Sequence, residues 1–299
     1  MNRLAAILFL TLAVVACRDH QSVVPAVTAP SPLPLSPVAL ISGFVVDTAS
    51  RPLAGATVDV VDGSPQAGTS TTSDANGQFS LTGAFVETTT FRATKEGYVA
   101  ATQTWSCNSP GTGICPGRSR PWLGFYLAVL APPVAIAGDY TLTFIADTAD
   151  TRCADLPNEL RTRTYAATIT PGSRPNYPNI PANTFFNVTV SGASFLGNYK
   201  SFYIGVAGDY LRIVLGEDGP VLVEEVAPNT YLSFGGTAAA SVGTSAVSTI
   251  SASFNGVIEY CALKSELDRD RFYDCSPSQP VTHATQCASK NHRLILTRR

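Results

Sequence analysis

The stretch Thr71-Thr72-Ser73-Asp74-Ala75-Asn76-Gly77-Gln78-Phe79-Ser80-Leu81 has the pattern of a β-hairpin. Gly77 can adopt a positive φ, and the side chains of Asp74 and Asn76 can hydrogen-bond to their own backbone, so the middle of the stretch predicts a tight turn. The same three residues could begin a calcium loop, but the remaining oxygen ligands and the terminal Glu of such a loop are missing from the sequence. We therefore predict a turn between two strands.

Apolar and polar residues alternate on both sides of this hairpin. The alternation predicts strands at residues 41–47, 57–61, 90–99 and 122–130, with a turn at residues 51–56 after the first of them. The apolar residues expected in the core of this unit are Phe44, Val58, Phe79, Leu81 and Tyr98. The first part of the chain is therefore predicted to be all-β.

Four motifs in this region resemble the carboxypeptidase regulatory-like domain family. They are Gly43-x-Val45-x-Asp47, Pro52-Leu53-x-Gly55-Ala56-x-Val58, Thr72-x-Asp74-x-x-Gly77-x-Phe79 and Gly97-Tyr98. The resemblance spans residues 40–131. It implies a Greek-key β-sandwich of the prealbumin and starch-binding-like kind, a rigid module in which the motif residues are structural and not catalytic.

The only two tryptophans of the chain, Trp105 and Trp122, flank a Gly- and Pro-rich insertion in this domain. Cys107 and Cys115 lie close enough in sequence to close that insertion with a local disulfide. Exposed indoles beside such a loop can stack on sugar rings, so Trp105 and Trp122 are candidate ligand contacts. The alternative is that both pack in the sandwich core, as large aromatic side chains more often do.

The chain begins with Met1-Asn2-Arg3, followed by an apolar run at residues 4–16 that ends beside Cys17. This pattern is typical of a secretory signal, and the cysteine makes it resemble a bacterial lipoprotein signal, in which the Cys thiol is acylated. A membrane span is disfavoured, because a run of this length covers roughly 20 Å of a roughly 30 Å hydrocarbon core. We expect residues 1–17 to be a signal with Cys17 as the lipidation site.

The predicted anchor also indicates a location. The membrane is then a partner through the N-terminal lipid, and Arg18 after Cys17 points, by resemblance to enterobacterial sorting, to the outer membrane of the cell envelope, facing the periplasm or the cell surface. Residues 18–39 carry five prolines and predict an extended tether, at most about 3.1 Å per residue.

Composition and cysteine content agree with export. Charged residues make up 14% of the chain, and a net charge of −2 provides no basic field, so nucleic acid is not an expected partner. Seven cysteines are present, and setting Cys17 aside leaves an even number that predicts three disulfides in an oxidising compartment. Metal binding is the alternative, but no Cys-x-x-Cys spacing supports it. The remaining cysteines are Cys107, Cys115, Cys153, Cys261, Cys275 and Cys287.

Residues 136–299 are predicted to form a second all-β domain. The candidate strands lie at residues 140–146, 162–170, 185–190, 202–206, 210–215, 231–238, 248–260 and 293–298. Eight turn-bounded strands are typical of an antiparallel up-and-down barrel or a sandwich. Gly138-Asp139-Tyr140 and Arg298 are weakly similar to the Gly-x-Trp and closing Arg of the lipocalin and calycin group, although Tyr140 stands where that group has Trp.

A closed barrel also predicts a disulfide pairing. If the first and last strands pair antiparallel, Cys153 and Cys287 become neighbours. Cys261 and Cys275 would then close a loop that holds the charged run at residues 264–271. That run is interpreted as a solvated loop, with a recognition loop or a cation site as alternatives.

Motifs of the common catalytic classes are missing from the sequence. It contains no Gly-x-Ser-x-Gly or His-Glu-x-x-His motif, and Glu224 and Glu225 would point to opposite faces of a strand. We therefore predict a non-catalytic protein with no cofactor and no metal. Its expected function is binding at the cell envelope, to carbohydrate first or to another surface protein. The alternatives are a calycin-type carrier of a small apolar ligand and a structural spacer without ligand.

Overall fold

The computed structural model describes residues 39–62, 67–83, 85, 88–106, 122–172, 180–216, 222–243, 247–263 and 281–299. The strands are β1 Ala39–Asp47, β2 Thr57–Asp62, β3 Ser70–Thr72, β4 Gln78–Gly83, β5 Thr88–Thr94, β6 Ala101–Ser106, β7 Trp122–Leu127, β8 Gly138–Ile145, β9 Thr162–Pro171, β10 Phe185–Ser191, β11 Phe195–Ala207, β12 Tyr210–Leu215, β13 Leu222–Ala227, β14 Thr230–Ser241, β15 Thr249–Leu263 and β16 Val281–Arg298. Short 3-10 helices lie at Thr151–Cys153, Asn158–Leu160 and Ala182–Thr184. The predicted all-β class is confirmed. None of the helices in these ranges is long and apolar enough to cross a bilayer.

Strands β1 to β7 form a sandwich of two sheets, ordered β4-β1-β7 and β3-β2-β5-β6. β1 pairs antiparallel with β4 and parallel with β7. The alternation predicted from sequence is visible in β4, where Phe79 and Leu81 are buried and the residues between them are exposed. Val58 is fully buried in the same core, and Tyr98 is partly buried against it.

Two details of the predicted sandwich are wrong. Phe44 does not belong to the core: it lies half-buried on the outer face of β1, where its ring contacts those of Trp122 and Tyr126. The strand predicted at residues 90–99 ends at Thr94, because the chain turns at Gly97, whose φ is 83°. A separate strand, β6, then pairs back along β5.

The predicted tight turn joins β3 to β4, but the hairpin predicted around it is wrong: the two strands lie in different sheets and do not pair, so the turn carries the chain from one sheet to the other. One carboxylate oxygen of Asp74, Oδ1, accepts hydrogen bonds from the backbone amides of Asn76 and Gln78, each at 2.8 Å. Gly77 has a φ of 73°, and a Cβ there would lie 2.4 Å from the carbonyl oxygen of Val45. Glycine is therefore required for the close approach as well as for the backbone conformation.

The second part of the chain is a closed barrel of eight antiparallel strands. Neighbouring strands pair in the order β10-β9-β8-β16-β15-β14-β12-β11, and pairing of β10 with β11 closes the barrel. β13 pairs with both β11 and β14, so it occupies the same position in the barrel wall as β12, at the other end. β13 is not among the eight strands predicted for this domain, although it holds Glu224 and Glu225, for which a strand conformation is predicted.

Large apolar side chains fill the barrel interior. Phe144 on β8 stacks on Phe234 of β14, with ring centroids 4.3 Å apart, and Phe254 meets Phe144 edge-on at 5.9 Å. Tyr165 packs against the same group. Because these rings come from strands on different sides of the wall, they join the wall into one packed core.

The sandwich and the barrel are in direct contact through the turn that follows β1. The Thr48 hydroxyl donates a hydrogen bond to the carbonyl oxygen of Val206, at the end of β11. Arg51 lies over the ring of Tyr210, at the start of β12, 4.3 Å from the ring centroid. The carboxylate of Asp47 is fully buried and accepts a hydrogen bond from Arg51, so a residue of the sandwich motif orients the side chain that meets the barrel.

Candidate functional site

A groove of about 370 Å³ crosses the outer face of the β4-β1-β7 sheet. Its volume falls within the range typical of small-molecule sites. Its wall combines two aromatic residues, Phe79 and Trp122, with several hydroxyl, amide and carboxyl groups. The lining residues are Ser42, Gly43, Thr71, Thr72, Asp74, Gln78, Phe79, Ser80 and Trp122.

Trp122 forms the aromatic end of the groove. It is the first residue of β7, and the alternation of that strand sends Leu123 inward and Trp122 outward, so the indole is 60% exposed. Phe44 packs beside it, with ring centroids 6.3 Å apart. A Cβ on Gly124 would lie 2.6 Å from the Phe44 ring, so this glycine leaves the space in which Phe44 supports the tryptophan.

Polar side chains form the rest of the groove in a row across the strands. Ser42 on β1 is the register partner of Trp122 on β7 and of Ser80 on β4. Because neighbouring strands lie about 4.8 Å apart, the Cα atoms of Trp122 and Ser80 are separated by about 10 Å. Thr72 on β3 and Asp74 in the turn between β3 and β4 also line the groove.

This arrangement places an exposed aromatic ring face beside hydrogen-bonding groups. An exposed indole offers an apolar face to the C–H side of a pyranose ring, while hydroxyl and carboxyl groups at its edge bond the ring hydroxyls. Asp74 is suited to this role, because Oδ1 is occupied by the turn and no hydrogen bond from the described residues reaches its other oxygen, Oδ2.

The two tryptophans predicted as contacts are not equivalent. Trp105 lies on β6 in the other sheet, half-buried against the sandwich core, and does not line the groove. The polar row of Ser42, Ser80 and Thr72 was not predicted. The strand register places Ser42 beside Ser80, whereas Thr72 lies on β3 of the other sheet and reaches the groove only through the packing of the two sheets.

A buried ion pair lies at one end of the barrel. Arg163 donates two hydrogen bonds to the carboxylate of Glu224, and the Tyr165 hydroxyl donates a third at 2.8 Å. Burial, and then the negative charge of Glu224, raise the pKa of Tyr165. Since Glu224 is only 3% exposed and its oxygens are bonded to two side chains of β9, the group fits a structural role.

A second polar cluster surrounds the disulfide between Cys153 and Cys287, the pair that barrel closure led us to expect. His292 is fully buried beside it, with ligand-type atoms of the three residues within 4.8 Å of one another. Its Nδ1 accepts a hydrogen bond from the Asp147 amide at 3.0 Å, so the ring proton lies on Nε2, which bonds the Cys287 carbonyl at 3.1 Å. Burial lowers the pKa of His292. With both sulfurs in the disulfide, the cluster is not available as a thiolate metal site.

Several predicted residues lie outside the described ranges. They are the lipidation site Cys17, the tether at residues 18–38, the cysteines Cys107, Cys115 and Cys275, and the charged run at residues 264–271. Cys261 on β15 is disulfide-bonded and fully buried.

Comparison with known proteins identifies one part of the chain. A comparison with curated proteins gives no match. Residues 40–112 match the family described as carboxypeptidase regulatory-like domain, which covers β1 to β6. β7 lies beyond the matched residues but completes the sheet by pairing with β1. The sandwich therefore contains a carboxypeptidase regulatory-like domain, a non-catalytic β-sandwich module.

Proposed function

We propose that this protein is a non-catalytic binding protein of the cell envelope and that its sandwich binds carbohydrate in the groove beside Trp122. The observation that carries the proposal is the 60% exposure of Trp122 at the end of a polar groove. A tryptophan whose only role is structural would be buried in the core. The ring of Phe44, which fits over Gly124, packs beside the indole, and this contact lowers the entropy lost when a ligand orders the indole.

The described part of the barrel supports a structural role for the second domain. Its interior holds the stacked rings of Phe144 and Phe234, and its most buried carboxylate, Glu224, is bonded to Arg163 and Tyr165. This packing gives no specific support to the calycin-type carrier. The barrel instead provides a rigid body that the sandwich contacts through Thr48 and Val206.

The binding proposal is tested with the purified full chain on an array of neutral and acidic oligosaccharides, followed by calorimetric titration of the sugars that bind. We expect Trp122→Ala to weaken binding by about two- to tenfold, because aromatic stacking contributes about 0.5–1.5 kcal/mol. Leu130→Ala is the matched control, since Leu130 is 66% exposed and does not line the groove. Binding by no sugar, or equal binding by the Trp122→Ala variant, would contradict the proposal and favour a spacer.

We also propose that the protein is anchored through Cys17 to the outer membrane. The support is the sequence alone, in which Cys17 follows a short apolar run and a small residue. In a Gram-negative host, a labelled fatty acid should be incorporated into the wild-type chain and not into Cys17→Ser. Fractionation of the host membranes then distinguishes the outer from the inner membrane. Equal labelling of both chains would reject the anchor.

A further inference from the structure

The groove beside Trp122 has two chemically different ends. At one end Trp122 on β7 offers an apolar ring face, and at the other the groove is lined by Ser80 on β4 and by Asp74 in the turn before β4, whose amide bonds the Gln78 carbonyl. The register Trp122, Ser42, Ser80 separates Trp122 from Ser80 by two strand spacings, about 10 Å. A single pyranose ring stacked on Trp122 would therefore leave the polar end unused.

We infer that the groove binds an oligosaccharide of at least two rings, with one ring stacked on Trp122 and the next, uncharged ring bonded at the Asp74 end. This inference rests on the carbohydrate-binding function proposed above and specifies its ligand class. The chain of sugars then crosses the strands and does not run along them.

The charge at the polar end of the groove determines whether a neutral or an acidic sugar ring can bind there. Asp74 is the one ionisable side chain among the described residues that line the groove. The cationic side chains of the described sandwich have other partners: Arg51 bonds Asp47, Arg92 bonds Asp59 at 2.8 Å, and Lys95 bonds the Ala54 carbonyl at 2.6 Å. A carboxylate or sulfate on the second ring would meet the acidic group of Asp74 with no described cation to compensate it.

Ring hydroxyls, in contrast, fit this end. Asp74 Oδ1 is held by the amides of Asn76 and Gln78, so the carboxyl plane is oriented by the turn before a ligand arrives. Oδ2 can then accept a sugar hydroxyl, and the Ser80 and Thr72 hydroxyls can donate or accept. An oriented acceptor binds more tightly than a mobile one, because less side-chain freedom is lost.

The test titrates the full chain with three probes: cellobiose, a one-ring methyl glucoside, and the disaccharide in which the ring placed at the polar end is a uronic acid. Wild type should bind cellobiose at least about tenfold more tightly than the one-ring probe. The uronic acid should bind more weakly than cellobiose. Where the array shows a different neutral backbone, its own disaccharide and uronic counterpart replace these probes.

Asp74→Asn is the informative variant, because an asparagine Oδ1 can keep the turn while the charge is removed. We expect the variant to lose about three- to tenfold in affinity for the neutral disaccharide and to bind the uronic acid more tightly than wild type does. Ala75→Ser, one residue further along the exposed turn, is the control for changes in the turn itself.

The outcomes separate the inference from the function on which it rests. Equal affinity for one and two rings, or uronic-acid binding that is as tight as neutral binding and unchanged in Asp74→Asn, would overturn the inference while Trp122-dependent sugar binding stands. Binding of no sugar on the array would reject both. A two-ring preference that is lost in Asp74→Asn supports the inference.

Discussion

Arg298 on the last strand of the barrel lies over the ring of Tyr140 on the first, with its guanidinium carbon 5.5 Å from the ring centroid. The two residues are register partners in the antiparallel pair of β16 with β8. Arg298 also donates a hydrogen bond to the carbonyl of Ala137, and the buried Tyr140 hydroxyl donates to Ile136 at 2.9 Å. The contact therefore joins the closing strand to the segment that leads into the barrel.

Replacing either partner should destabilise the barrel modestly. Arg298→Ala removes a cation–π contact at an exposed site and should lower the free energy of unfolding by about 0.5–1 kcal/mol. Tyr140→Phe keeps the ring but loses one buried hydrogen bond, which should lower the free energy of unfolding by about 1 kcal/mol. Arg298→Lys is the control that keeps the charge. Urea denaturation measures all three, and an Arg298→Ala variant as stable as wild type would show that the contact contributes nothing.

The buried pair of Arg163 and Glu224 should be sensitive to loss of one partner. Arg163→Ala leaves a carboxylate with 3% exposure without its cation, and we expect a loss of about 3 kcal/mol in the free energy of unfolding. The double variant Arg163→Met, Glu224→Leu replaces both charges with apolar groups and should be closer to wild type. A loss below about 1 kcal/mol for Arg163→Ala would indicate that water solvates the pair.

The disulfide between Cys153 and Cys287 joins residues 134 positions apart in the chain. A covalent link across so long a loop strongly restricts the unfolded chain. The free energy of unfolding of the double variant Cys153→Ala, Cys287→Ala should therefore be about 2–5 kcal/mol lower than that of wild type. Thermal unfolding under non-reducing conditions measures this loss, because the disulfide of Cys261 stays intact. A melting temperature equal to that of wild type would contradict the prediction.

His292 should make the free energy of unfolding fall as the pH drops below the range in which an unfolded histidine titrates. Burial lowers the pKa of His292 in the folded chain, whereas a histidine in the unfolded chain has a pKa of about 6.5. Between the two pKa values the unfolded chain takes up a proton and the folded chain does not, so stability falls as the pH falls through this window. In wild type, unfolding within this window should be accompanied by the uptake of up to about one proton at His292. The His292→Gln variant should lack this uptake.

Two carboxyl groups near His292 titrate in a lower range and do not obscure this effect. The Ser289 hydroxyl, at 2.7 Å, lowers the pKa of Asp147, and the Arg152 side chain lowers the pKa of Asp150 to about 2. The stability that these two carboxylates contribute is present above about pH 4 and is lost only as the pH falls further. Chemical denaturation at several pH values between 5 and 8 therefore isolates the histidine. An equal slope in wild type and His292→Gln would refute the assignment.

The contact between sandwich and barrel should couple their unfolding. Thr48→Val removes the hydroxyl that donates a hydrogen bond to the Val206 carbonyl in a buried site. We expect this change to lower the free energy of unfolding by about 1–3 kcal/mol. Thr48→Ser keeps the hydroxyl and is the matched control. Calorimetry should show one transition in wild type and broader or separate transitions in Thr48→Val. Separate transitions already present in wild type would show that the contact does not couple the two parts.

The sequence by itself determined the local structure of this protein. Alternation with a period of two predicted strands in both halves, because successive side chains on a strand point to opposite faces. The turn from Asp74 to Gly77 was predictable, because its short-range hydrogen bonds and its positive φ depend only on neighbouring residues. Predicting that the first and last barrel strands pair was enough to place Cys153 beside Cys287.

Only the tertiary structure decided which face of each strand is covered. The pattern around Phe44 is equally compatible with an inward and an outward side chain, and the ring lies outward because Gly124 on the neighbouring strand leaves room for it. In the same way, Trp105 packs on the core and Trp122 is exposed, although the two tryptophans flank the same insertion in the sequence. Periodicity separates the two faces of a strand but does not say which one a distant strand covers.

The candidate site depends on tertiary structure for the same reason. Trp122, Ser42 and Ser80 are far apart in the sequence and become neighbours only through the register of β7, β1 and β4. Strand register is set by the packing of whole faces and by chain connections, so it cannot be derived from the residues of one strand. The sequence supplied the aromatic and polar groups of the groove, and long-range strand pairing brought them together.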